Sequence, residues 1–159
     1  QDPVLWPQRE ALKAALQYPE KAGSYFDGIN PDAFTNDAYR QVRDAITRAG
    51  GASAANSGAG WLAAVAGEMR DLAGRNLVSQ LAVEEIHADA LDVYIDSVLS
   101  RLQETRVGDQ IAQLKAQLQR MRPSDDEQAY NALFSDLLAL EQARRELNAR
   151  ALRVPEFGA

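Results

Sequence analysis

An all-α fold is what this sequence predicts: an N-terminal bundle of short helices, one long connecting helix and a C-terminal antiparallel helical hairpin. Three observations carry that reading. No run of Val, Ile, Thr or aromatic residues alternates with period two, while Ala, Leu, Gln, Glu and Arg dominate. Prolines and glycines cut the first half into short pieces. They then spare a stretch from about Asp89 to Met121, where Gly108 is the sole glycine.

Taken in order, Pro7 followed by Gln8-Arg9-Glu10 reads as a first helical turn, with Leu12, Ala15 and Leu16 as an apolar stripe up to Tyr18. Pro19 starts a second short helix that carries Tyr25 and Phe26 and stops near Gly28. Asn30-Pro31 supplies an N-cap and first position for a single turn. The next helix starts near Thr35 or Asn36, places Tyr39, Val42, Ile46 and Ala49 at spacings of three and four, and meets a cap at Gly50-Gly51. Residues 50–60 are small and glycine-rich, and are expected to form a loop with no packed core. Helices from about Trp61 to Arg70 and Leu72 to Val83 follow, with Trp61, Leu62, Val65, Met69, Leu72, Leu77, Val78 and Leu81 as core candidates.

The long helix has the most informative stripe. Leu91, Ile95, Val98 and Leu102 step by four, three and four, and Ile111, Leu114, Leu118 and Met121 step by three, four and three. Between them Val107 follows Leu102 by five, so at about 100° per residue the apolar direction turns near Glu104-Thr105-Arg106. The two halves should therefore pack against different things. That places a boundary between a bundle over residues 1–104 and a hairpin over 105–159, and it predicts that the hairpin moves relative to the bundle. After Pro123, Ser124-Asp125-Asp126-Glu127 forms a capping box with acids in the first turn. The helix it opens runs to about Leu152, with Leu133, Leu137, Leu140, Leu147 and Ala151 on a seam, Tyr130 and Phe134 beside it, and Arg144 as the one seam position that is not apolar. Such a hairpin has little core of its own and tends to want a partner surface.

Composition narrows the chemistry. With 46% hydrophobic and 25% charged residues the chain is an ordinary folded one. No cysteine is present, which excludes disulfides, thiolate metal sites and a cysteine nucleophile. Twenty-three acidic against 17 basic residues give a net charge of -6, an unfavourable balance for nucleic acid as the main ligand. No run nears the roughly 20 apolar residues of a membrane span. The chain starts without Met in loop-like residues, as expected of a piece cut from a longer protein. Gly58-Ala59-Gly60 has no phosphate-loop context, and the single His87 leaves Glu84-x-x-His87 short of a metal pair or a catalytic triad. Arg40, Arg43 and Arg48 could line one helix, with Arg70 and Arg75 not far off. Arg144, Arg145, Arg150 and Arg153 give the last helix a basic end.

Several stretches, taken in order, carry a resemblance. They are Ala11-Leu12-Lys13-Ala14-Ala15-Leu16-Gln17-Tyr18-Pro19-Glu20, Asp32-Ala33-Phe34-Thr35, Ala38-Tyr39-Arg40-Gln41-Val42-Arg43, Leu77-Val78-Ser79-Gln80-Leu81 and Arg101-Leu102-Gln103-Glu104. Ile111-Ala112-Gln113-Leu114-Lys115, Tyr130-Asn131-Ala132-Leu133-Phe134 and Leu138-Ala139-Leu140-Glu141 continue them. The chain resembles the C-terminal domain of bacterial replicative DNA primase in its actinobacterial form, over nearly its whole length. The resemblance implies a non-catalytic domain of a cytoplasmic replisome protein that binds the replicative hexameric helicase and brings primer synthesis to the fork. It implies no cofactor in this segment, because the zinc and magnesium of the parent family belong to domains absent here. For helicase contact the candidates are Tyr130, Phe134, Leu137, Glu141, Arg144, Arg145 and Arg150. In other bacteria this domain also captures the acidic tail of single-strand binding protein. Arg9 holds one of the basic positions for that role; a second falls near Gln80, which is not basic, leaving Arg75 as a substitute. Beside this stand two readings of other classes: a free-standing helical adaptor that homodimerises through its hairpin, and a small metal-dependent enzyme of the bundle type.

Overall fold

A computed structural model describes residues 2–152, and within them the chain is helical with no strand. Seven α-helices run in order: α1 (Leu5–Gln17), α2 (Pro19–Gly28), α3 (Asp37–Arg48), α4 (Ala59–Gly67), α5 (Leu72–Val83), α6 (Leu91–Arg120) and α7 (Glu127–Ala151), with 3-10 turns at Pro31–Ala33 and Ala52–Ala54.

α1 sits at the centre of the bundle, which the sequence stripe alone did not indicate. Ala11, Leu12, Ala15 and Leu16 are buried as expected, but so are Gln8, Glu10, Lys13 and Ala14. Its alanines let α2, α5 and α6 approach closely, and its polar side chains find internal partners. Pro19 has no N–H to bond Ala15 four residues earlier; the Trp61 indole N–H fills that vacancy, donating to the Ala15 carbonyl at 3.0 Å. This one bond fastens α4 onto the end of α1. Gln17 fastens α5 in the same region, donating to the carbonyls of Leu81 and Glu84.

Several caps agree with the sequence. Asn30 accepts from the Asp32 N–H, Asn36 accepts from the Tyr39 N–H, and Gly51 at φ 86° closes α3 by donating to Ile46. The glycine-rich segment departs from expectation. Ala52 is fully buried, because the Asp27 carboxylate accepts the N–H groups of Ala52 and Ser53, each at 2.9 Å, and draws the turn onto α2. α4 stops at Gly67 rather than Arg70, and Leu72 is 65% exposed instead of lying in the core. It stands at the first position of α5, outside the buried face set by Val78 and Leu81.

α6 contributes Ile95, Val98, Leu99 and Leu102 to the bundle core. Beyond Glu104 its apolar side faces α7, where Ile111 and Leu137 are buried while Leu114, Leu118, Leu133 and Leu140 are half-buried. The stripe thus changes partner where its spacing breaks. Two features differ from the sequence reading. Asp126, not Ser124, caps α7, accepting from the Ala129 N–H at 3.0 Å, because residues 123–125 are used in a turn closed by Asp125 N–H to the Arg122 carbonyl. And α7 returns past the break: its last residue, Ala151, is 1% exposed against α6 beside the bundle, where its carbonyl accepts from the Ser97 hydroxyl at 2.6 Å.

Candidate functional site

The outward face of α7 carries the hairpin's exposed apolar surface. Residues 134 and 138 stand one turn apart, so Phe134 and Leu138 share a face, and they are 46% and 53% exposed. Tyr130, one turn earlier, is half-buried. Leu137 is turned inward to the seam. Of the polar candidates, Glu141 lies 3.6 Å from Lys115 of α6, and Arg145 donates to Gln142 on its own helix at 2.6 Å.

Arg144 and Arg150 are held within the molecule. Arg144 lies against Gly108, and its Nε is 3.9 Å from Glu104. Arg150 pairs with Asp96 and stacks 4.6 Å from the Tyr25 ring centroid. Asp96 in turn raises the Arg150 pKa through their hydrogen bond. The predicted seven therefore separate into an outer group around Phe134 and an inner group that ties the hairpin to the rest. Leu138 was not among the sequence candidates, although its position four residues after Phe134 and off the seam follows from helical spacing.

Arg9 and Arg75 are not brought together. Arg9 forms a two-pronged bond to Glu84 and donates to the Tyr39 hydroxyl at 3.1 Å, and this pairing holds the Glu84 carboxyl below the usual carboxylate range. Arg75 is exposed in the first turn of α5, nine residues or about 13 Å before Glu84 at that helix's far end. Behind Arg9 lies a buried network that sequence reasoning did not anticipate. Lys13 and Glu10, both 2% exposed, pair at 2.7 Å; Lys13 also donates to the Glu85 carbonyl, and Tyr94 donates to Glu10 at 2.7 Å. Burial, then Glu10, pushes the Tyr94 pKa well above its ordinary value.

Arg40, Arg43 and Arg48 do not line up as a basic face on α3. Arg43 is 3% exposed, donates to the carbonyls of Asp27 and Ile29, and stacks on Phe26; burial lowers its pKa. Arg40 pairs with Asp32 and Arg48 with Glu68, while Arg48 and Arg70 share a groove of about 350 Å³ with Asp44 and Asp71, so the charges there are mixed. Arg153 lies outside the described residues. His87 is exposed, and no group of three metal-ligating side chains comes together among the described residues.

Comparison with known proteins places these features in context. Residues 8–133 match the family model described as DNA primase DnaG DnaB-binding. DNA primase of Mycolicibacterium smegmatis is 50% identical over 153 residues, which is 94% of this chain and 24% of that protein. DNA primase of Streptomyces coelicolor is 32% identical over 152 residues, 92% of this chain and again 24% of the relative. The chain thus spans about a quarter of the length of the curated relatives it matches. A solved structure, the helicase binding domain of primase from Mycobacterium tuberculosis, superposes with a TM-score of 0.83 at 49% identity, covering 93% of each chain.

Proposed function

The chain belongs to the DNA primase DnaG DnaB-binding family, and from that premise we propose that its hairpin docks a parent primase on the replicative hexameric helicase. The observation that carries this reading is the exposed Phe134–Leu138 pair on a helix whose opposite side is already packed. An aromatic anchor with an aliphatic neighbour, rimmed by Tyr130, Glu141 and Arg145, has the make-up of an interface centre.

Docking acts by proximity. A primer-making domain in the same polypeptide would be held near the unwound strand, and its effective concentration there would be set by the tether rather than by diffusion. The domain itself supplies recognition. The chain has no cysteine to hold a zinc ribbon. The bundle provides the frame that holds α6, and through it the hairpin.

Calorimetric titration into the N-terminal domain of the same organism's helicase tests the reading. Phe134→Ala combined with Leu138→Ala should weaken binding by about tenfold or more, as expected for central anchors. Leu72→Ala, at a still more exposed apolar residue on α5, should leave it unchanged. If the hairpin variant binds like the parent, the docking face lies elsewhere. If it instead abolishes self-association measured by sedimentation, the hairpin serves a second copy of the chain.

A further inference from the structure

The two ends of α7 hold α6 by different chemistry. From residue 133 to 140 the contact is apolar, with Leu133, Leu137 and Leu140 against the half of α6 that contains Ile111. From residue 144 onward it turns polar. Arg144 reaches Glu104, Asn148 donates to the same carboxylate at 3.1 Å, Arg150 pairs with Asp96, and the Ala151 carbonyl accepts from Ser97. Leu147, half-buried, and Ala151 are the apolar members of this section.

These polar contacts lie across the place where α6 changes partner. Asp96 and Ser97 sit on the bundle side of the stripe break, and Arg150 also covers Tyr25 of α2, whose hydroxyl bonds Ser100 of α6 at 2.7 Å. Just past the break α6 contains Gly108, a residue that weakens a helix interior. On the bundle's side, Arg106 of α6 stands 3.7 Å from Asp32, which also pairs with Arg40. A bend in α6 at this joint would have to carry α7 with it or detach α7's end.

We propose that the last two turns of α7 are a releasable strap: their polar contacts to Asp96, Ser97 and Glu104 fix the hairpin's angle to the bundle, and their release lets the hairpin swing about the joint near Gly108. Partly exposed ion pairs are individually weak and yield to salt, whereas the apolar seam beyond them does not, so the strap opens first while the hairpin stays closed on itself. The strap is a property of this chain alone and stands whichever surface the hairpin docks on.

The chain lacks cysteine, so paired spin labels can be placed on cysteines introduced at Ser79 of α5 and Ser124 at the hairpin turn, both exposed. The parent should give a narrow distance distribution. Asn148→Ala combined with Arg150→Ala should broaden it about twofold with helical content by circular dichroism unchanged, because only the orientation is released. Arg150→Glu should act similarly, and adding Asp96→Arg should narrow the distribution again by restoring the pair in reverse. If the double alanine variant keeps the parental distribution, or if Leu140→Ala broadens it and the strap variants do not, the apolar seam sets the angle and the proposal fails.

Discussion

Lys13 and Glu10 face each other at 2.7 Å with 2% of each side chain exposed, and Lys13 has a second, more distant carboxylate in Glu84 at 3.5 Å. Removing Glu10 leaves a buried ammonium with only that longer pairing and the Glu85 carbonyl. Glu10→Ala should therefore destabilise the fold by about 2–3 kcal/mol in urea denaturation, short of the cost of a wholly unpaired buried charge. It also strips Tyr94 of its acceptor. Glu84 makes a different prediction. Because Arg9 lowers its pKa, the folded state binds that proton less readily than the unfolded chain, and the pair contributes stability above the ordinary carboxylate range that is lost as pH falls through the folded value. Glu84→Gln should be less stable than the parent at neutral pH and should show a shallower loss between about pH 5 and pH 3. Neither network was legible in the sequence. Arg9 and Glu84 are 75 residues apart, and nothing local to either names the other. Phe134 was legible, since its place beside the seam rather than on it follows from helical spacing alone.

At the scale of elements, local chemistry was the better guide. Asn30, Asn36 and Gly51 cap where their side chains or φ values suit, and the bundle core takes its last α6 residue, Leu102, close to the break in the stripe. The capping box puts the start of α7 at Ser124, but the turn at 123–125 uses up that residue and leaves Asp126 as the cap. Asp126→Ala should thus cost about 1 kcal/mol of stability, while Ser124→Ala should cost almost nothing. Thermal unfolding of the two variants distinguishes them. The glycine-rich loop was misjudged for a definable reason: composition reports what Ala52 and Ser53 lack, but the turn is held by a carboxylate of another helix. The burial of α1 escaped notice on similar grounds, because its polar residues read as a solvated face until Thr35, Glu85 and Tyr94 are brought to them.

Across the whole molecule, apolar burial is concentrated at one end. The largest core cluster joins α1 to α5 and the first half of α6, and the hairpin adds Ile111 and Leu137. Hydrogen exchange should follow that gradient, with slowest amides in α1 and around Ile95 to Leu102, and progressively faster ones toward the hairpin turn and through α7. Uniform protection over both regions would contradict it. Fold class and the order of elements were readable from periodicity, but the return of α7 to the bundle was not, since its final contacts are made by Arg150 and by a backbone carbonyl. The continuity of α6 has a mechanical consequence. Its 30 residues, about 45 Å long, run unbroken from Leu91, packed against the edge of the core, to Arg120 at the tip. Tension applied at the tip along this axis is delivered to Ile95, Val98, Leu99 and Leu102 together, and loads them in shear rather than peeling them one by one. A body hauled by its hairpin is thus gripped at its most resistant point.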